Sequence, residues 1–204
     1  IREEAIYRIE KGYTSYTSNQ GLEELRKEIS NYLKKKFKIT FSKNEILITN
    51  GVSEAIDLSL RAFINPEDEV ILPEPAYVCY RPLIELCDGI PITLDTSKTA
   101  FVPTANDIES LITPKTKLII LSYPNNPTGQ SIDFNELEAI AELALSHNIL
   151  IMTDEIYADL SFDSFRSIAT IKKLKDQLIY LNGFSKGHSM TGWRVGYVCA
   201  NENY

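Results

Sequence analysis

Four short segments of this chain set chemically able side chains beside turn-forming residues: Asn50-Gly51-Val52-Ser53, Pro124-Asn125-Asn126-Pro127-Thr128-Gly129, Asp154-Glu155-Ile156-Tyr157 and Asn182-Gly183-Phe184-Ser185-Lys186. Lys186 has the widest chemical range. A loop lysine is ordinarily a solvated cation, and it becomes a nucleophile only where burial or a second cation strips its proton. Arg194, eight residues on, supplies such a cation, and its planar fork can hold phosphate oxygens in pairs. Asp154 closes an apolar run, where a carboxylate serves either as a helix N-cap or as the partner of a protonated ring nitrogen. Tyr157 lies about one helical turn further along, so its hydroxyl can face the same ring. Asn126 sits in a tight turn that would fix its amide as a donor. Val52, Ser53 and Glu54 open a helix after a strand, and free N–H groups with a serine hydroxyl there make an anion site. Serine is also common at helix starts, so this segment is weak evidence alone. Tyr77 follows two prolines and can stack on a ring or simply pack in a core.

The elements that must carry these groups alternate in kind. Leu22, Leu25, Ile29 and Leu33 recur at helical spacing and predict a helix over 21–36; further helices are expected over 52–63, 77–87 and 135–146. Strands are expected over 45–49, 70–72, 90–94, 117–122, 148–153, 177–181 and 194–200, with Pro73 ending the second because proline cannot continue a central ladder. Several of these runs are almost wholly apolar, as in a parallel or mixed sheet covered by helices on both faces. Alternating helices and strands mean an α/β fold with crossover connections. In such sheets ligands bind where strands end and loops lead into helices, which is where the four segments fall.

Bulk properties exclude several functions. The chain has 204 residues and a formal net charge of −7, which argues against nucleic-acid binding. The Lys34-Lys35-Lys36-Phe37-Lys38 cluster reads as a solvated last helical turn. Cys79, Cys87 and Cys199 have neither pairing nor metal-ligand spacing, so no metal site is expected and a reducing, cytoplasmic setting is. No apolar run approaches the ~18–20 residues that a membrane span needs. No strand is followed by G-x-G-x-x-G, which removes a nucleotide-binding α/β domain.

Taken together, Ser185-Lys186 with Met190-Thr191-Gly192-Trp193-Arg194-Val195-Gly196, the Pro124–Gly129 turn and Asp154–Tyr157 resemble the fold-type I, class I and II aminotransferases, in order and spacing over essentially the whole chain. The resemblance implies pyridoxal 5′-phosphate (PLP) as cofactor, held by Lys186 as a Schiff base. It implies that Asp154 pairs with the pyridinium, Asn126 and Tyr157 bond the phenolic oxygen, and Tyr77 stacks on the ring. Val52, Ser53, Glu54 and Arg194 would hold the phosphate. Tyr16 matches a tyrosine that reaches the phosphate of the neighbouring subunit, which implies a homodimer. Gly183 departs from the family, where serine is frequent; either Ser185 substitutes or that phosphate contact is missing. His188 replaces a commoner aromatic or hydroxyl residue and reads as structural, while His147 reads as a surface or capping residue.

The resemblance also implies a large PLP-binding domain over 1–204, a mostly parallel mixed sheet sandwiched by helices, with an N-terminal arm and a C-terminal small domain missing. The activity implied is transamination between an amino acid and a 2-oxo acid, with an N-acetyl-diaminopimelate aminotransferase of lysine biosynthesis the favoured branch. Two rivals keep the same residues: a PLP-dependent C–S β-lyase, and a PLP-sensing domain of a transcription regulator.

Overall fold

The computed structural model describes residues 1–162 and 164–204. In chain order the elements are α1 (Arg2–Glu10), α2 (Glu23–Lys36), β1 (Ile46–Asn50), α3 (Gly51–Phe63), β2 (Glu69–Glu74), α4 (Tyr80–Glu85), β3 (Ile90–Asp95), α5 (Ala105–Glu109), β4 (Thr116–Ser122), α6 (Phe134–His147), β5 (Leu150–Asp154), β6 (Leu178–Gly183) and β7 (Val195–Cys199), joined by loops and short 3-10 turns. The seven strands form one sheet in the order β1-β7-β6-β5-β4-β2-β3. All pairs are parallel except the two made by β7. The mixed, mostly parallel sheet is therefore as the sequence implies.

Alternation explains why the central strands read as continuous apolar runs. Ile119, Leu121, Ile151 and Tyr180 point to the face covered by α2 and α6. Leu118, Ile120, Met152, Ile179 and Leu181 point to the opposite face, covered by α3 and α4. With both faces dry, neither set of alternate positions can be polar.

Three local expectations are corrected. Pro73 does not end its strand: it lies inside β2 and pairs with Leu94, beyond the stretch where β2 pairs with β4, so it sits where the strand has one partner. The helix expected over 77–87 begins only at Tyr80, because Pro75–Cys79 forms a turn closed by Tyr80 N–H donating to the Tyr77 carbonyl. The helix expected from residue 21 starts at Glu23, since Gly21 is left-handed at φ +92 and a Cβ there would lie 2.4 Å from Ile48. His147 does close α6, where Asn148 adopts the left-handed cap. Helices α1 and α5 lack the apolar periodicity that would have revealed them, and α1 buries no residue at all.

Two features of the sheet matter for the site. A Cβ on Gly196 of β7 would lie 2.5 Å from the carbonyl carbon of Gly51 and 2.6 Å from the nitrogen of Val52, so glycine lets the start of α3 rest directly on β7. On the other side of β5, Glu155 is buried at 2% exposure. Its Oε1 accepts from the Ser167 hydroxyl at 2.7 Å and the Thr153 hydroxyl at 3.2 Å, and its Oε2 has no partner among the described residues. Burial pushes this acid up to about 8, against the two hydroxyls.

We expect Gly196→Ala to lower stability by about 1–3 kcal/mol, since backbone must move, and Gly192→Ala, where a Cβ meets nothing, to stay within about 0.5 kcal/mol. Urea unfolding followed by circular dichroism checks this; equal midpoints would refute the contact. A pH effect follows from Glu155. Its folded value lies above the ordinary 4.5, so its contribution is full below that value and is lost as pH rises through about 8. At about 1.4 kcal/mol per pH unit the loss is a few kcal/mol. The cofactor-free chain should therefore unfold at lower urea at about pH 8.5 than at about pH 5.5, and Glu155→Gln should flatten that slope; an unchanged slope in the variant would assign it elsewhere.

Candidate active site

The carboxyl ends of β4, β5 and β6, the start of α3, the Pro75–Cys79 turn and the residue before β7 all meet at one pocket. It is lined by Val52, Ser53, Tyr77, Asn126, Asp154, Tyr157, Ser185, Lys186 and Arg194, nine of the residues singled out from sequence. Glu54 and Tyr16 are not brought in. The Glu54 side chain turns back to accept from the Asn50 N–H. Tyr16 is fully exposed and points into solvent.

Asp154 forms the floor. Its side chain is buried, its Oδ1 accepts from the Ile156 N–H at 3.1 Å, and its Oδ2 accepts from the Tyr80 hydroxyl at 2.8 Å. No α-helix follows, so the N-cap reading reduces to a two-residue turn and Tyr157 is set by that turn. Burial pushes the Asp154 carboxyl up to about 6 in spite of both donors. Such a carboxylate is short of positive charge, and a cationic ring N–H supplies what it lacks.

Tyr80 and Ser122 were not legible as site residues. Tyr80 is fully buried under the pocket, with its hydroxyl 2.9 Å from Ser122 Oγ. The one available signal was the tyrosine three residues after Tyr77, and its partner lies 74 residues away in sequence.

The opposite charge gathers at α3. Gly51 is left-handed at φ +75, and a Cβ there would lie 2.2 Å from Arg194 Nη2, so its absence lets the guanidinium lie against the helix start. Arg194 is itself left-handed at φ 52, and its Nη1 donates to the Thr191 carbonyl at 3.1 Å. Free N–H groups of α3, the guanidinium and the hydroxyls of Ser53 and Ser185 form a cradle for a phosphate-sized anion. A Cβ on Gly183 would lie 2.9 Å from Gly196 Cα, so a serine has no room on this backbone.

Between floor and cradle stands Lys186, with Nζ 5.6 Å from the centre of the Tyr157 ring. Asn126 is presented by its neighbour: Asn125 Oδ1 accepts from the Thr128 N–H at 3.1 Å and hydroxyl at 2.8 Å, which locks the turn. The turn reading of that segment holds, and Asn126 lines the pocket. His188 does not line the pocket; its ring meets Tyr32 and Phe184 edge-on at 5.9 and 5.2 Å. Among the described residues no group of His, Cys, Asp and Glu could hold a metal. The donor set fits PLP: a charge-poor carboxylate for the ring nitrogen, a cradle for the phosphate, and a primary amine between them.

Comparison with known proteins agrees. The family model described as aminotransferase class I and II matches residues 1–204. A probable N-acetyl-LL-diaminopimelate aminotransferase of Bacillus subtilis is 46% identical over 194 residues, covering 94% of this chain and 49% of that protein. An aspartate aminotransferase of Sulfolobus acidocaldarius is 39% identical over 207 residues, covering 52% of its own length. The crystal structure of an aromatic aminotransferase from Pyrococcus horikoshii superposes with a TM-score of 0.95 at 35% identity, over 98% of this chain and 55% of that one. The chain thus spans about half the length of the relatives it matches. With the whole of its length matched and the pocket built as above, the chain belongs to the class I and II aminotransferases, a family that uses pyridoxal 5′-phosphate.

Proposed function

We propose that this chain is the PLP-binding large domain of an aminotransferase that moves an amino group between an amino acid and a 2-oxo acid, working as a homodimer. The observation that carries the reading is the convergence of a buried, charge-poor Asp154, an anion cradle at α3 and the Lys186 amine on one pocket.

When bound, PLP supplies the electron sink that makes the substrate Cα–H acidic. Asp154 holds the ring nitrogen in its protonated form. Asn126 and Tyr157 orient the ring through its phenolic oxygen, and Tyr77 covers one face. Val52, Ser53, Glu54 through its backbone, Ser185 and Arg194 bind the phosphate. Lys186 would hold the cofactor through its amine, and that amine is placed to take the proton from the substrate Cα. The exposed apolar groups of the N-terminal segment, Ile6, Tyr7, Ile9 and Tyr13, suit a face covered by a second copy, from which Tyr16 reaches the neighbour's phosphate. An N-acetyl-LL-diaminopimelate-type donor is the favoured substrate, supported by the 46% identical relative, and a reducing cytoplasm suits the three free cysteines.

Titration with PLP should give a near-ultraviolet to visible band, and borohydride should then fix a pyridoxyl group on the Lys186 peptide. Lys186→Ala should lose both, and an unaltered spectrum would refute the lysine. For Asp154→Ala, a loss of roughly 3–5 kcal/mol from an unpaired buried cation corresponds to a rate drop of about 100- to 5000-fold with cofactor still bound. A variant within tenfold of the parent would remove that role. Product analysis separates reaction types: amine transferred to 2-oxoglutarate supports transamination, whereas release of ammonia, pyruvate and a thiol would mean a β-lyase.

A further inference from the structure

The backbone immediately after Lys186 rests on a side chain that no part of the pocket uses. A Cβ on Gly187 would lie 2.5 Å from Asp159 Cβ, 2.7 Å from its Oδ2 and 2.9 Å from its Cγ. The Gly187 φ is not left-handed, so space and not backbone conformation reserves this position for glycine. Asp159 follows Tyr157 by two residues, on a 3-10 turn over Ala158–Leu160, and its side chain is only 7% exposed.

The other carboxylate oxygen is held from a distant element. Asp159 Oδ1 accepts from the Tyr32 hydroxyl at 2.5 Å and pairs with the Lys36 ammonium, both on α2. Burial raises the Tyr32 phenol, which keeps it a proton donor. His188 adds an apolar contact to the same cluster through the Tyr32 ring. The lysine loop is closed on itself by Ser189 N–H to the Lys186 carbonyl at 3.0 Å and Met190 N–H to the Phe184 carbonyl at 3.3 Å. It is thus a small closed turn whose Gly187 sits on Asp159.

We infer that Asp159 is a positioning residue for Lys186, fixing the lysine loop to helix α2 through Tyr32 and Lys36, with Gly187 leaving the space that lets it do so. The inference rests on the reading of Lys186 as the cofactor lysine. A covalent link to a cofactor held at both ends demands a lysine backbone fixed to within a fraction of an ångström, and a misplacement of about 1 Å can cost about 100-fold. Asp159 touches neither pocket nor cofactor; it acts through the loop.

The test reads the lysine–cofactor bond directly. The PLP-loaded parent and variants Asp159→Ala, Asp159→Asn, Tyr32→Phe and Gly187→Ala are titrated with pH by absorbance, and fixation by borohydride is timed. Asp154, Tyr77, Tyr80, Tyr157 and Arg194, the ionisable groups that line the pocket with Lys186, are untouched by these changes. Asp159→Ala and Gly187→Ala should move the midpoint of the lysine-linked band by about one pH unit and slow fixation about tenfold or more. Asp159→Asn, which still accepts from Tyr32 and fills the same volume, should lie closer to the parent than either. Folded variants that bind PLP and titrate with the parent overturn the inference. Should Asp159→Ala not fold, Tyr32→Phe decides, because it removes one hydroxyl and keeps the ring; an unshifted midpoint there also overturns it. A parent without any band or adduct on Lys186 defeats the cofactor reading itself and is told apart by that control.

Discussion

A carboxylate stripped of water at the end of the central strand β5 sets the terms for everything around it. Asp154 is given two donors, the Ile156 N–H and the Tyr80 hydroxyl, and these leave it above its ordinary value. Burying such a group is expensive unless it is paired. In the proposed reading the missing partner would arrive with the cofactor, as a cation on a ring. Tyr80 has to be buried to reach Asp154, which fixes where α4 begins. The turn before it then leaves Tyr77 free to line the pocket, 5.9 Å from Tyr80 edge to face.

The second constraint is steric. An anion cradle requires helix, arginine and strand to approach more closely than side chains allow, and three glycines make the approach possible. Gly196 lets α3 sit on β7, Gly51 lets Arg194 lie on the helix start, and Gly183 lets β6 pass β7. The same logic recurs at Gly187, where the lysine loop sits on Asp159. Glycine is thus used here mainly for proximity; only Gly51 among these four also needs a left-handed backbone.

Much of this was visible in the sequence, for physical reasons that can be named. All seven strands fall within two residues of expectation because a sheet covered on both faces admits few polar residues. Nine pocket-lining residues were legible because they lie in polar loops between apolar strands, where a sheet of this kind binds ligands. What stayed hidden depends on contacts distant in sequence: Tyr80 with Asp154, and Asp159 with Tyr32, 127 residues apart. Pro73 misled because a ladder rule that holds in mid-sheet does not apply where β2 has parted from β4. Helix α1 left no pattern to read, since a helix that buries nothing within its own chain has no reason to be periodic.

That last property bears on how the site is completed. The pocket floor is buried, whereas Ile6, Tyr7, Ile9, Tyr13 and Tyr16 hold apolar surface in water along one terminal segment. Surface of this kind is costly to leave exposed and favourable to cover. In the proposed dimer one association would do two things: remove that apolar surface from water and bring the Tyr16 hydroxyl to a neighbouring phosphate cradle. Arg26 ties the chain just before α2 to its surroundings. Its guanidinium is buried, with Nη1 donating at 2.8 Å both to Gln20 Oε1 and to the Lys43 carbonyl, and Gln20 in turn accepts the Ile48 N–H of β1 at its backbone carbonyl. Gln20 is therefore anchored to β1, the strand that leads into α3, which holds the start of α2 against the edge of the sheet next to the anion cradle.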